Sequence, residues 1–322
     1  MKRLSAALAA PTTRPWTTML ARSPGTKARP ATGPSGPRAL CRDGPRFPPG
    51  RWLAGAGYVV VRHLASGGMA EVYEARDLRR GRWCALKVLH ARLVQRADFA
   101  RRMQAEARAL AASCHPNLVR FERAGTLGDG RPFIATELLV GRTLREELRR
   151  RGPVPLARAL RWTGELLSGL EAVHRAGWVH CDVKLENAFL CEDGAIKLLD
   201  LGAAQSQKPA ESRARSAIGT PRYMAPELCA CLPVDGRTDV YAAGLLLCEL
   251  VCGTSPLHDL GGDTERLLRA QWERYPPWPD EQYARRLPCA LRPVVLRAVA
   301  KPPAARFASA ADMARALREV SA

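Results

Sequence analysis

The chain has 322 residues, 47% hydrophobic and 25% charged, which excludes wholesale disorder and leaves room for one large domain or two smaller ones. Its 50 Lys+Arg against 31 Asp+Glu give a formal charge of +19, so a polyanionic partner is weighed against plain solvated arginine. No apolar run reaches the roughly 18 residues of a membrane span, and the best, Ala242 to Val251, contains Glu249.

In chain order, residues 1–50 come first, with nine basic side chains, one acid and nine prolines. That is +8, leaving +11 for the remaining 272 residues. With no helical or strand period, this stretch reads as a disordered basic extension. Lys2 and Arg3 before Leu4 to Ala10 faintly mimic a secretory signal, and the acid-poor composition also fits a transit peptide. A plain tail is the preferred reading. The ten cysteines are scattered, with no Cys-x-x-Cys pair and no histidine at ligand spacing, so reduced, packed thiols are expected rather than a zinc site.

Tyr58 to Leu64 predicts a strand, followed by a Ser-Gly-Gly turn and a second strand near Ala70 to Ala75. Arg82 to Leu89 is apolar on both sides and predicts a central strand. Residues 97–113 carry a helical repeat through Phe99, Met103 and Leu110, broken by Cys114-His-Pro-Asn117. Two more strands fit Leu118–Leu127 and Pro132–Leu138. From about 143 the pattern is mostly helical: Leu156 to Ala176, a buried helix over Asp239 to Cys252, and an amphipathic one over Ser309 to Val320 with a serine N-cap. A strand-rich lobe followed by a helix-rich lobe is an α+β arrangement.

Chemistry concentrates in a few stretches. Leu64-Ala-Ser-Gly-Gly-Met-Ala-Glu-Val-Tyr73 is a glycine turn between strands whose backbone N–H groups can face phosphate oxygens, although alone it is an ordinary hairpin. Lys87, inside an apolar strand, must aim its charge at a partner, and Glu106 on the next helix would supply one. Alone, Glu106 reads as an exposed acid on a basic helix. His180-Cys-Asp-Val-Lys-Leu-Glu-Asn187 and Lys197-Leu-Leu-Asp-Leu-Gly202 add Asp182, Lys184, Asn187 and Asp200. Two carboxylates, an amide oxygen and a cation suit magnesium beside phosphates, with one carboxylate left to orient a hydroxyl.

Taken in this order, with Gly-Thr-x-x-Tyr-Met-Ala-Pro-Glu227 and Asp-Val-Tyr241, these motifs resemble eukaryotic-like serine/threonine protein kinases, chiefly the bacterial branch, over about residues 58–320. The resemblance implies a two-lobed protein kinase fold, with an N-lobe over 58–136 and a helical C-lobe over 137–320. It implies ATP and Mg2+ as cofactors and Ser/Thr hydroxyls of protein substrates as acceptors. Leu64, Ala65, Ser66, Gly67, Gly68, Met69, Ala70 and Val72 should cover the ATP phosphates. Val72 and Ala85 should close over the adenine, with Phe189 beneath. Lys87 should hold the α- and β-phosphates and pair with Glu106. Thr136 falls at the gatekeeper, and Glu137 to Leu139 form the hinge. Asp182 should orient the acceptor hydroxyl and take its proton, Lys184 should neutralise the γ-phosphate, and Asn187 and Asp200 should bind magnesium. Glu227 should pair with Arg306, and Asp239 should brace the catalytic loop. Leu110, Phe121, His180 and Leu201 should stack as an apolar column.

Five positions depart from the pattern, in three groups. Ala65 and Ala70 replace the first and third glycines of the loop. Cys181 replaces the arginine that in the family meets a phosphorylated activation-loop residue, and a thiol makes no bidentate phosphate contact. Leu185 and Leu201 replace proline and phenylalanine while keeping apolar bulk. The alternatives are a catalytically impaired pseudokinase that serves as a binding or scaffolding module, and a small-molecule kinase, which the Ala-Pro-Glu segment disfavours. No nucleic acid and no membrane span are expected, the location expected is cytoplasmic, and oligomeric state is left open.

Overall fold

The computed structural model describes residues 47–53, 55–207 and 219–321, all within one compact unit, Arg42–Ala322. The proline-rich segment up to residue 46 lies outside the described residues, as do Ser212 and Ser216, two of the hydroxyls that the sequence offers for phosphorylation between Asp200 and Glu227.

Strand alternation builds the first lobe. In β4 (Arg82–Leu89), Cys84, Leu86 and Val88 are buried on one face while Ala85 and Lys87 occupy the other. β4 lies inside a six-stranded antiparallel sheet with β1 (Trp52–Leu53), β2 (Tyr58–Ser66), β3 (Ala70–Asp77), β5 (Phe121–Thr126) and β6 (Pro132–Glu137), in the order β1-β2-β3-β4-β6-β5. Its central place follows from its two-sided apolar character. On the outer face, Tyr58, Val60, Tyr73, Ala75, Leu86 and Phe133 form a separate apolar cluster. The helix α1 (Ala97–Ala112) turns Met103, Ala109 and Leu110 inward.

Residues 47–53 belong to this lobe, although the sequence reading placed everything up to 50 in the extension and started the domain at 58. The Phe47 ring lies 5.5 Å from that of Tyr73, and Gly50 N–H donates to the Val60 carbonyl at 2.8 Å. Phe47 and Leu53 extend the outer cluster, a gain in apolar burial that the prolines beside them conceal.

The second lobe is built on α3 (Leu156–Arg175) and α5 (Gly236–Cys252). α5 is buried almost throughout, as its nearly all-round apolar character requires, but it starts three residues before Asp239, where Asp235 caps the Arg237 N–H at 2.9 Å. A side chain at Gly244 would come within 2.9 Å of Ala298 and Val299, so this glycine sets the approach of α5 to α8 (Arg292–Ala298). The last helix, α9 (Ala310–Ser321), lies against α3 and is capped by Ser309, whose hydroxyl accepts from Asp312 N–H at 3.1 Å. Short strands sit on the first lobe's side of these helices. β7 (Gly141–Thr143), β9 (Ala188–Cys191) and β10 (Ile196–Leu198) form one sheet, and β8 (Trp178–Val179) pairs with β11 (Gln205–Ser206). Between β7 and α3 lies α2 (Leu144–Arg151), held at its start by a Thr143–Glu146 capping box. Three further short helices, α4 (Pro226–Cys229), α6 (Thr264–Glu273) and α7 (Glu281–Arg286), fill the remainder. Among the described residues, no helix is long and apolar enough to cross a membrane.

A buried ion pair anchors α4. Arg306 meets Glu227 through two bonds, 2.7 and 2.8 Å, and spends its other donors on the Ala300, Arg237 and Lys301 carbonyls. Removing one partner would strand the other charge, so Arg306→Ala is expected to cost about 3 kcal/mol in urea unfolding. Lys301 lies nearby, donating to the Tyr241 hydroxyl (3.0 Å) and the Gln271 carbonyl (2.7 Å). Burial first, and Arg306 second, press its ammonium down to about 7. An unfolded lysine keeps its proton to about 10.4. Above pH 7 the unfolded state therefore binds more protons, and stability rises with pH through that window. Lys301→Met is expected to lose this rise. Urea unfolding of both chains at pH 7 and 9 checks it, and parallel behaviour of the two chains would show that the lysine is not the source.

Candidate active site

The strand that buries Leu86 must present Lys87 to the opposite face. There its Nζ lies 2.7 and 2.9 Å from the two oxygens of Glu106 on α1 and 2.7 Å from Oδ1 of Asp200. Glu106 is 2% exposed, on the face of α1 that carries Met103 and Leu110, so its charge has to be met inside. Burial opposes the Lys87 ammonium, but the two carboxylates outweigh it and raise its pKa. Asp200 is partly desolvated at the junction of the lobes although its side chain is 48% exposed; this opposes its charge, yet the lysine holds that carboxyl well below its usual range. Glu106, the deepest of the three, is pushed up to about 7 by burial against the pull of Lys87.

Asp200 sits at φ 54°, a left-handed conformation that swings its carboxylate back toward Lys87. Its Oδ1 also accepts the Gly202 N–H at 3.0 Å. A Cβ on Gly202 would stand 2.8 Å from Asp200 Oδ1, 3.2 Å from Glu106 and 3.4 Å from Lys87. Gly202 was not among the predicted site residues. Its place in the Asp-Leu-Gly triplet was the available signal.

A second cluster forms on the segment after β8. Lys184 Nζ lies 2.5 Å from Asp182 Oδ2 and 2.8 Å from the Thr220 hydroxyl, which donates to Asp182 Oδ1 at 2.7 Å. Asn187 Nδ2 donates to the Asp182 carbonyl (2.8 Å) and to Oδ2 (3.2 Å). Thr220, within the Gly-Thr-x-x-Tyr-Met-Ala-Pro-Glu motif, was not among the predicted site residues, yet it bridges both predicted catalytic side chains. Its distance of 38 residues from Asp182 hides the contact from any local pattern.

This loop hangs from α5. The Asp239 carboxylate accepts the His180 N–H at 2.8 Å, the Cys181 N–H at 2.9 Å and the His174 ring at 2.7 Å. Burial would raise its pKa, and the hydrogen bond from His174 with its other donors lowers it below the usual range. His180 Nε2 meets the Leu199 carbonyl at 3.0 Å, and Leu199 N–H donates to the Asn187 carbonyl at 2.8 Å. These bonds tie the Asp182 loop to the segment carrying Asp200. Leu110, Phe121 and Leu201 share one apolar cluster beside them.

Cys181 has φ 63° and packs among Val179, Ala203, Met224, Leu228 and Cys229. Burial pushes its thiol well above the usual range, so it stays neutral and apolar.

The remaining predicted residues distribute as follows. Register places Ala65 beside Val72, Val72 beside Lys87, and Ala85 beside Thr136, all on the face that carries Lys87. Leu64 and Met69 are half-buried, Ser66, Gly67 and Gly68 are exposed, and Ala70 is buried. Phe189 lies in β9 opposite Lys197 and Thr143, and Leu139 is half-buried after β6. The Glu137 side chain is engaged elsewhere, with Lys197 at 2.7 Å and Arg120 N–H at 2.8 Å. Its backbone N–H donates to the Arg120 carbonyl at 3.0 Å, which leaves its carbonyl for a ligand. For a divalent ion, Asn187 and Asp200 offer an amide oxygen and an ionised carboxylate. These hard donors fit magnesium bound partly through nucleotide phosphates.

A strand-rich lobe above a helical lobe, with a lysine–carboxylate cluster facing an aspartate loop, defines a phosphotransferase-type architecture. Residues 58–290 match the family described as the protein kinase domain, and the chain belongs to that family. It is 35% identical over 263 residues to the serine/threonine-protein kinase PknD of Mycobacterium tuberculosis, covering 81% of this chain and 39% of that protein. With PknL of Mycobacterium bovis it shares 40% identity over 215 residues, 66% of this chain and 53% of the other. The crystal structure of the Mycobacterium tuberculosis PknI kinase domain superposes with a TM-score of 0.68 at 30% identity, covering 85% of this chain and all of that one. The chain thus spans about two fifths of PknD's length.

The Thr220 bridge makes a measurable claim. Thr220→Val should lower kcat about tenfold while leaving the melting temperature and the KM for ATP nearly unchanged. An unaltered kcat would show that the bridge does not position Asp182.

Proposed function

We propose that the chain is an ATP- and Mg2+-dependent kinase that phosphorylates serine and threonine hydroxyls of protein substrates. One observation carries this reading: Asp182 already accepts a hydrogen bond from an aliphatic hydroxyl, that of Thr220, at 2.7 Å, with the Lys184 ammonium against both groups. A carboxylate in that setting can orient an acceptor hydroxyl and take its proton, while the ammonium meets negative charge on the transferred group.

Each residue then has a physical task. Lys87, kept cationic by two carboxylates, binds the α- and β-phosphates. Val72 and Ala85 enclose the adenine from above and Phe189 from below. The backbone after Glu137, through Leu139, meets the adenine edge. Asn187 and Asp200 would hold Mg2+, which supplies charge neutralisation of the phosphates. Catalysis is mainly positioning and electrostatic stabilisation. Free thiols and an ATP requirement are consistent with a cytoplasmic location.

Cys181 gives the proposal a regulatory corollary. An apolar thiol enclosed by Met224, Leu228 and Cys229 cannot hold a phosphorylated residue. Activity is therefore independent of activation-loop phosphorylation through this position.

Labelled ATP with generic protein substrates tests the main reading. Asp182→Asn should lose about 10³-fold in rate, with label on Ser or Thr from the wild type only. Equal background from both would instead indicate a binding module without turnover. Phosphatase-treated enzyme should keep its activity within about twofold. A collapse after treatment, repeated by alanine at Ser212 or Ser216, would refute the corollary.

A further inference from the structure

The turn expected to cover the nucleotide phosphates poses a conformational problem. Neither Gly67 nor Gly68 has a positive φ, and a Cβ on Gly68 would meet nothing within 4 Å. The turn therefore does not use the left-handed freedom of glycine, and two of the loop's usual glycines are Ala65 and Ala70. Something else must hold its shape.

Side chains from three strands converge on it. Glu71, on β3, takes the Ser66 hydroxyl at 2.7 Å and the His63 ring at 2.5 Å. His63 is set edge-on to Tyr73, with centroids 5.6 Å apart. His90, just past β4, donates from Nε2 to the Gly67 carbonyl at 2.9 Å, and its Nδ1 stands 3.9 Å from Glu71. Its own N–H donates to the Met69 carbonyl at 2.9 Å, and Arg92 reaches the Gly68 carbonyl at 3.3 Å. Glu71 and His90 are 7% and 4% exposed, so these bonds reach the exposed turn from side chains that are themselves shielded from water.

Three successive carbonyls, those of Gly67, Gly68 and Met69, are thus drawn toward the segment after β4. A trans peptide opposes its N–H to its C=O. The Gly68 and Met69 N–H groups therefore point away from that segment, as a phosphate cradle requires. The bonds just described for Glu71 and His90 involve none of Lys87, Glu106, Asp200 and Asp182.

We propose that Glu71 and His90 are positioning residues for the nucleotide, holding Ser66 to Met69 in a phosphate-ready shape that glycines do not impose here. The proposal rests on the kinase reading of the site, and it locates the effect in nucleotide affinity rather than in the transfer step.

The test titrates a fluorescent trinitrophenyl-ATP with Mg2+ into full-length wild type, Glu71→Ala and Glu71→Gln, and measures kcat and both KM values in parallel. Glu71→Ala is expected to raise the nucleotide Kd and the KM for ATP about tenfold, with kcat and the KM for protein substrate within about twofold. Glu71→Gln, whose amide oxygen accepts from the same donors, should recover to within about threefold. An unchanged Kd for Glu71→Ala, or a glutamine variant no better than alanine, overturns the proposal. So does a parallel loss of kcat and melting temperature, which is the mark of a merely structural role. If Glu71→Ala does not fold, Ser66→Ala, which removes the hydroxyl that meets Glu71 and His63, and Arg92→Ala, which removes the donor to the Gly68 carbonyl, should each raise Kd about threefold; no effect from either overturns it. A wild type that fails to bind the nucleotide refutes the kinase reading itself, an outcome distinct from a wild type and variant that bind equally.

Discussion

The ammonium of Lys87 is the constraint on which the active region depends. It stands on an apolar strand, where an unpaired charge would be costly, and so draws in Glu106 from α1 and Asp200 from beyond β10. These partners lie 19 and 113 residues away. Their meeting fixes the helix against the sheet and the upper lobe against the lower. The near absence of space at Gly202 has the same origin, because three charged groups already fill the volume that a side chain there would need.

The lower lobe solves a matching problem with the opposite sign. Asp239 is 1% exposed, and its carboxylate is tolerated because three donors converge on it. Two of them are backbone N–H groups of the Asp182 loop, so the cost of burying one acid is converted into rigidity of the segment that carries Asp182. Arg306 and Glu227 repeat the device beneath the Ala-Pro-Glu element. In each case a buried charge is admitted only with its full set of partners, and those partners are the segments that must not move.

Cys181 shows what changes when one charge is withdrawn. Its backbone keeps the left-handed turn and the bond to Asp239, while the side chain joins an apolar cluster with Ala203, Met224 and Leu228. The loop geometry therefore does not depend on a cation at this position. At the other end of the site, the glycine turn is held by histidine, carboxylate and arginine side chains in place of backbone freedom.

Much of this was legible in the sequence. Strand and helix periods located β4 to the residue and α1 and α3 to within one, because apolar alternation is a local property of the chain. The order of charged motifs named Lys87, Glu106, Asp182, Asn187 and Asp200, since each residue type is required by its chemistry wherever the fold places it. Phe47 to Leu53 escaped notice because prolines follow Phe47, whose ring covers the distant Tyr73, and because the strand Trp52–Leu53 is only two residues long. The contacts of Thr220 and the bonds that Glu71 and His90 make to the turn escaped because their partners sit on other segments, whereas Gly202 had its place in the Asp-Leu-Gly triplet as a signal. The sequence by itself determined the family, the order of elements and the identity of the charged groups. Only the tertiary structure decided which hydroxyl rests on Asp182, why residue 202 must lack a side chain and what holds the phosphate turn. Those outcomes depend on contacts between residues far apart in the chain, which no local period encodes.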